Sequence, residues 1–287
     1  MKMRHLSFFS LATACVFLTG GAALLGGSGC SSTSSGGGGG TTGGGGSGGS
    51  GVTVLPENKI SDFEDLAAAT VVASGTPARN GYWYTYNDDN PKGTDATCIQ
   101  TPPSGPQVAP AMPDSWVPLA SPSPSGSGQP GSFALHVTWQ GCTVWGAGIG
   151  ADLNQPVMDG GTYTGKKVKY NVGAFTGITF WAMATTGSDT ALRVKIPMSD
   201  ETKVEDGGDC VEASNNKCSD DFGYKFSLPA NGNWKQITVK FSDAAFAQEG
   251  WGAVFPWNPA DVTSIQIQSQ DKNEMYDFWI DDMYFIQ

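Results

Sequence analysis

The chain is short of histidine, of basic residues and of helical patterning, and each shortage removes a class of function. Only two of its 287 residues are histidine. His5 lies near the start, and His136 sits in the middle of "SFALHVTW" among apolar neighbours. No nucleophile elbow lies close to His136, so Ser-His-Asp and Cys-His catalysis lack their base, and it reads as a packed strand residue. Lys and Arg number 16 against 27 Asp and Glu, a net charge of −11. That balance argues against nucleic acid and anionic lipid as partners. No Cys-x-x-Cys spacing is present, which argues against a structural zinc. "NDDNPKGTD" (87–95) has oxygen ligands of the kind calcium takes, but not at EF-hand intervals, and reads as a surface turn. "GAGIG" (146–150) is followed by no helical pattern, so it belongs to a strand or turn where the backbone needs room rather than to a nucleotide loop. After Gly51, "SDFEDLAAA" and "SDAAFAQEG" offer at most single turns of helix.

What is present begins with "MKMRHLSFFSLATACVFLTGGAALL". A positive start at Lys2, Arg4 and His5 precedes an apolar run from Leu6 to Leu25, the pattern of a secretory signal. The run approaches the ~20 residues that span a bilayer. Its decay through Gly20, Gly21, Gly26, Gly27 and Ser28 favours cleavage over a retained anchor. "GSGC" resembles the end of a bacterial lipoprotein signal, a small residue before a lipidated cysteine, although Gly27 stands where that family has Leu. The resemblance implies a signal peptide over 1–29, lipidation at Cys30, and an exported lipoprotein of the outer membrane or cell surface, with membrane contact only through the lipid. Ordinary secretion is the alternative. Residues 30–51, "CSSTSSGGGGGTTGGGGSGGSG", then form a tether with a root-mean-square span of about 25 Å. Removing residues 1–29 takes away Lys2 and Arg4 and no acid, which brings the charge to −13.

Residues 52–287 are enough for one large domain. Four cysteines follow Cys30, and in an exported chain they read as two disulfides with three pairings open. Cys98–Cys142 with Cys210–Cys218 is the favoured set. The second pair closes the polar loop "CVEASNNKC", and the first ties the base of a long insertion. That insertion, residues 99–132, holds nine of the chain's 17 prolines, too many for ladder hydrogen bonds, and reads as a surface loop.

Elsewhere the period is two. "SFALHVTW" sets Phe133, Leu135, Val137 and Trp139 against Ala134, His136 and Thr138. "GITFWAMA" aligns Ile178, Phe180 and Ala182. "ALRVKIPM" turns Leu192, Val194 and Ile196 inward, with Arg193 and Lys195 outside. "WKQITVKF" buries Ile237, Val239 and Phe241, and "SIQIQSQ" buries Ile265 and Ile267 while Gln266, Gln268 and Gln270 face the other way. "YDFWIDDMYFI" ends the chain. Many short antiparallel strands imply an all-β sandwich or jelly roll.

Aromatic residues point to a ligand class. "NGYWYTYNDD" places Tyr82, Tyr84 and Tyr86 on one strand face and Trp83 on the other. Trp139, Trp145, Tyr224, Trp251 and Trp257 add to a total of nine tryptophans. A sugar ring has an apolar CH face and a rim of hydroxyls, and its sites pair flat rings with polar side chains. Trp83 and Trp234 are expected in the core, and the Tyr86 face at the surface.

Several blocks in order, "SDFED", "VWGAGIG", "ITFWA", "LRVKI", "YKFSLPANGNWKQITVKFSD", "NPADVTSIQIQ" and "FWIDDMYFI", resemble a family-11 type carbohydrate-binding module of the galactose-binding jelly-roll group. The resemblance implies non-catalytic binding of a poly- or oligosaccharide. It implies a structural Ca2+ held by Glu64 and Asp281 with backbone carbonyls. It places Tyr86, Asp220 and Gln266 at cleft positions; with the residues read above, the candidate site is Tyr84, Tyr86, Arg193, Asp220, Gln266 and Gln268. Val144 and Ser269 stand where the family has tyrosines, which puts β-glucan recognition in doubt. The alternatives are an envelope assembly protein that uses the sandwich for protein contacts, and a glycoside hydrolase with two carboxylates about 5–10 Å apart.

Overall fold

The segments of alternating polarity fold as strands, and their apolar faces meet. A computed structural model describes residues 55–64, 79–88, 97–101, 119–120, 133–154, 158–159, 162–163, 166–213 and 216–287. The signal, Cys30, the tether and most of the Pro-rich insertion lie outside these residues. The strands are β1 (Lys59–Ser61), β2 (Trp83–Asn87), β3 (Ile99–Thr101), β4 (Leu119–Ala120), β5 (Phe133–Gln140), β6 (Ala147–Asp152), β7 (Met158–Asp159), β8 (Thr162–Tyr163), β9 (Gly177–Ala184), β10 (Ala191–Lys195), β11 (Gly223–Ser227), β12 (Lys235–Lys240), β13 (Ser264–Ser269) and β14 (Tyr276–Ile286). Helical structure among the described residues is confined to 3-10 turns such as Pro56–Asn58 and Val204–Asp206. No helix among them is long and apolar enough to cross a membrane.

Every strand pairing is antiparallel. One sheet runs β12-β9-β14-β5-β3, with β1 added on β14 and β4 on β5; the second runs β11-β10-β13-β6-β2. Leu135, Val137, Trp139, Ile178, Phe180, Ile237, Val239, Phe278 and Ile280 from the first sheet share one core with Trp83, Ile149, Leu192, Val194, Ile265 and Ile267 from the second. This is the all-β sandwich of jelly-roll type that the two-residue period predicts.

The cysteines pair as Cys98–Cys142 and Cys210–Cys218. Three expectations need correction. Trp234 is half-buried rather than in the core, because it precedes β12 at the sheet edge. Arg193 and Lys195 point away from the core as expected, yet both are nearly buried. They lie beneath neighbouring loops and are paired there with Glu249 and Asp221. The Pro-rich segment is not loop throughout, since Ile99–Thr101 and Leu119–Ala120 both pair with β5.

The outer face of the second sheet is organised in rows across the strands. One row runs Tyr84, Gly150, Gln266, Lys195, Gly223, and the next runs Tyr86, Gly148, Gln268, Arg193, Lys225. The glycines of "GAGIG" give the tyrosines room to lie flat on β6. A Cβ at Gly148 would stand 2.4 Å from the Tyr86 ring, and one at Gly150 would stand 2.5 Å from the Tyr84 ring. Gly148→Ala is therefore expected to destabilise the fold by about 1–3 kcal/mol through overpacking. Chemical denaturation measures this, and an unchanged midpoint would show that the Tyr86 ring does not rest on that glycine.

Candidate functional site

At the β10–β11 side of this face, a cleft of about 570 Å³ opens between two loops. Trp145 lies on one loop and Trp251 on the other, and both line the cleft. They are 43% and 54% exposed, the two aromatic residues exposed among those described. Arg193, Lys225, Glu249 and Gln268 supply polar groups between them.

Each tryptophan loop is held from behind by a buried carboxylate. Asp88, 6% exposed, accepts backbone N–H bonds on Oδ2 from Val144 (2.7 Å), Trp145 (3.0 Å) and Gly146 (3.0 Å). Asp220, 2% exposed, accepts N–H bonds from Glu249 on Oδ1 (2.9 Å) and from Gly250 (2.8 Å) and Gly252 (3.0 Å) on Oδ2. Three N–H groups that would otherwise be turned from solvent without a partner converge on each carboxylate, so releasing a loop would leave buried polar groups unsatisfied. Gly146 (φ 102°) and Gly250 (φ 85°) adopt the left-handed conformations that let these N–H groups turn inward. Each clamp lies close to a disulfide: Asp88 beside Cys98–Cys142, and Asp220 two residues after Cys218. Gln248 reinforces the second loop, donating to the carbonyls of Asp220 and Ala253 and accepting from the Phe255 N–H.

The polar floor is an ion-pair chain. Glu249 meets Arg193 at 3.3 Å and Lys225 at 2.7 Å, and accepts from Trp251 Nε1 at 3.3 Å. Burial opposes ionisation of Glu249, but Lys225 and Arg193 outweigh it and hold the carboxyl below its ordinary value. Arg193 also donates to the carbonyls of Asp221 and Ala247, which fixes the guanidinium in one plane. Lys195 pairs with Asp221 at 2.6 Å. Behind that pair Glu201 is fully buried, and burial followed by repulsion from Asp221 pushes it up to about 8.

The six expected ligand residues divide. Arg193 and Gln268 line the cleft. Tyr86 and Gln266 adjoin it, with the Tyr86 hydroxyl donating to Gln266 Oε1 at 3.0 Å and the Tyr86 ring stacked on Trp145 at 5.9 Å. The expected Tyr86 face is only half open, because Trp145 covers part of it. Tyr84 is not available for stacking. Lys167 lies 4.4 Å above its ring and donates to its hydroxyl, held there by an ion pair to Asp152. Asp220 does not point into the cleft, since both of its oxygens bind loop backbone. The turn read at 87–95 also differs from expectation, because its Asp88 is a buried loop anchor. Sequence reasoning did not assign Trp145, Trp251, Lys225 and Glu249 to the site. The available signal was tryptophan among glycines outside any two-residue period, in "VWGAG" and "EGWGA".

The expected cation ligands lie at the first sheet, where β1 pairs with β14. Asp281 is fully buried, and its Oδ2 has no hydrogen-bond partner. Burial, with repulsion from Asp282, Glu64 and Asp62, pushes Asp281 up to about 9; burial, with repulsion from Asp62 and Glu64 against the attraction of Lys59, raises Asp282 to about 6. Lys59 pairs with Asp62, and Glu64 accepts the Phe133 N–H at 2.9 Å. An all-oxygen, charge-excess set with an unpartnered buried acceptor fits a hard cation such as calcium.

His136 behaves as a packed strand residue, stacked on Trp279 at 4.1 Å and bonded to Asp277 at 2.8 Å.

No protein-family model matches the chain, and no curated protein matches it in sequence. Among solved structures, it is similar to the family 11 carbohydrate-binding module of the cellulosomal cellulase Lic26A-Cel5E of Clostridium thermocellum, at 12% identity and a TM-score of 0.39 over 83% of this chain and 96% of that one. A family 11 module of Clostridium thermocellum in complex with a β-1,3-1,4-mixed-linked tetrasaccharide is similar at 14% identity and a TM-score of 0.35, over 71% and 88% of the two chains. TmCBM61 in complex with β-1,4-galactotriose is similar at 11% identity and a TM-score of 0.33, over 82% and 97%.

Proposed function

We propose that the protein binds a saccharide chain without cleaving it, with Trp145 and Trp251 as stacking platforms and the floor of the cleft as the hydrogen-bonding surface. The observation that carries this reading is the pair of exposed tryptophans, each on a loop held by three backbone bonds to a buried carboxylate. An exposed indole favours stacking on the CH face of a sugar, and a loop ordered in advance loses little entropy when it binds. Gln268 and Gln266 offer neutral donors and acceptors for hydroxyls. Two carboxylates line the cleft, Glu249 and Asp271. Glu249 is kept ionised by two cations, and Glu201, which has the raised pKa of a general acid, is sealed from it.

The two disulfides support an oxidising, extracytoplasmic setting. The reading extends to a lipid anchor at Cys30 with residues 30–51 as tether, so that the binding head reaches glycan away from the membrane. It also includes a calcium ion held by Glu64 and Asp281, which joins the first and last strands.

Trp145→Ala and Trp251→Ala should each weaken saccharide binding by about 1–2 kcal/mol, roughly tenfold, at nearly unchanged melting temperature. A glycan array followed by titration reads this, and unchanged affinity in both variants would remove the cleft as the site. Asp220→Asn should speed amide exchange at Glu249, Gly250 and Gly252 and weaken binding by about 1–2 kcal/mol, with core amides unaltered; exchange equal to the parent's would show that the carboxylate does not hold the loop. Chelator should lower the melting temperature by on the order of 5 °C, and Asp281→Asn should abolish that response. Identical melting with and without chelator would exclude the ion.

A further inference from the structure

The charge of the cleft runs against the charge of the molecule. The chain carries −11 overall, yet the cleft is lined by Arg193, Lys195, Lys225 and Lys272 against only Glu249 and Asp271. Behind the lining, the buried Asp221 pairs with Lys195, and the buried Asp88 and Asp220 are turned onto backbone N–H groups of the two loops, so the excess is a property of the lining itself. Glu201 is fully buried behind that pair and does not line the cleft.

The cations are also ordered. Lys225, Arg193 and Gln268 are cross-strand neighbours in one row, which continues through Gly148 to Tyr86 and the stacked Trp145. Lys225 is more than half exposed and has one carboxylate partner for its three donors, and Lys272 is exposed at the rim. A polymer lying along this row would place its rings against the tryptophans and its substituents against the ammonium groups. A neutral glycan would meet the rings and hydrogen-bond to the floor, but would bring no counter-charge to the ammonium groups.

We infer that the cleft selects an anionic polysaccharide, one bearing carboxylate or sulfate groups, from the row of cations that ends at its aromatic platform. This deepens the saccharide-binding reading and depends on it. With 27 acidic against 16 basic residues in the chain, the net field opposes polyanions, so attraction depends on the local cations of the cleft and weakens as salt screens them.

The test titrates the full chain with a polyuronate, a sulfated galactan, a neutral glucan and a neutral galactan at low and physiological ionic strength. At least one anionic polymer should bind about tenfold more tightly than either neutral one at low salt, and lose much of that advantage at about 0.15 M. The polyuronate and the sulfated galactan distinguish the two anionic groups. Lys225→Gln and Lys272→Gln should each reduce anionic affinity several-fold while leaving the melting temperature unchanged. Trp145→Ala should reduce it too. Polyanion binding that survives Trp145→Ala together with Trp251→Ala would be general ion exchange and would overturn the inference. Equal or tighter binding of a neutral glycan, insensitive to salt, would overturn the anionic selectivity and leave the saccharide reading standing. Binding to none of the four by folded protein would overturn both.

Discussion

The candidate site depends on buried carboxylates that accept backbone N–H bonds. A tryptophan on a solvent-facing loop makes a poor binding surface if the loop wanders, because ordering it on binding costs about 1–2 kcal/mol per backbone residue. Asp88 and Asp220 each gather three N–H groups of a tryptophan-bearing loop onto one side chain. One disulfide lies beside Asp88 and joins the strand before the Trp145 loop, and the other ends two residues before Asp220. The result is two indoles presented by a rigid β-sandwich rather than by mobile chain.

Electrostatics at the cleft and at the β1–β14 pairing have opposite character. At the cleft, Glu249 is balanced by Arg193 and Lys225 and stays ionised. Where β1 meets β14, Asp281 and Asp282 face Asp62 and Glu64 with Lys59 as the cation among their titrating neighbours. The first arrangement is complete within the protein and presents cations to a ligand. The second has a surplus of negative charge and an unpartnered oxygen, a demand that a cation would meet.

The fold was legible because a sandwich strand announces itself by its period. β5, β9, β10, β12, β13 and β14 all fall on segments whose alternation marks them, and the glycines of "GAGIG" lie in β6 where room was expected. The site was legible only in part. Period assigns Arg193, Gln266 and Gln268 to an outer face, but a face does not reveal what lies on top of it. Lys167 comes from outside the strands to cover Tyr84, which no pattern within β2 could show. Asp88 and Asp220 act on backbone 56 to 58 and 29 to 32 residues away, and such partners emerge only with tertiary structure. Trp145 and Trp251 lie in loops, where periodicity has no meaning and the neighbouring glycines were the only cue.

The most direct test of the central claim is a two-dimensional NMR titration of the indole N–H signals of the nine tryptophans with an oligosaccharide that the protein binds. The Trp145 and Trp251 signals should shift, while those of Trp83 and Trp139 in the core and of Trp181 and Trp279 on the opposite sheet stay in place. Shifts confined to Trp181 and Trp279, with Trp145 and Trp251 unmoved, would place binding on the other sheet and contradict it.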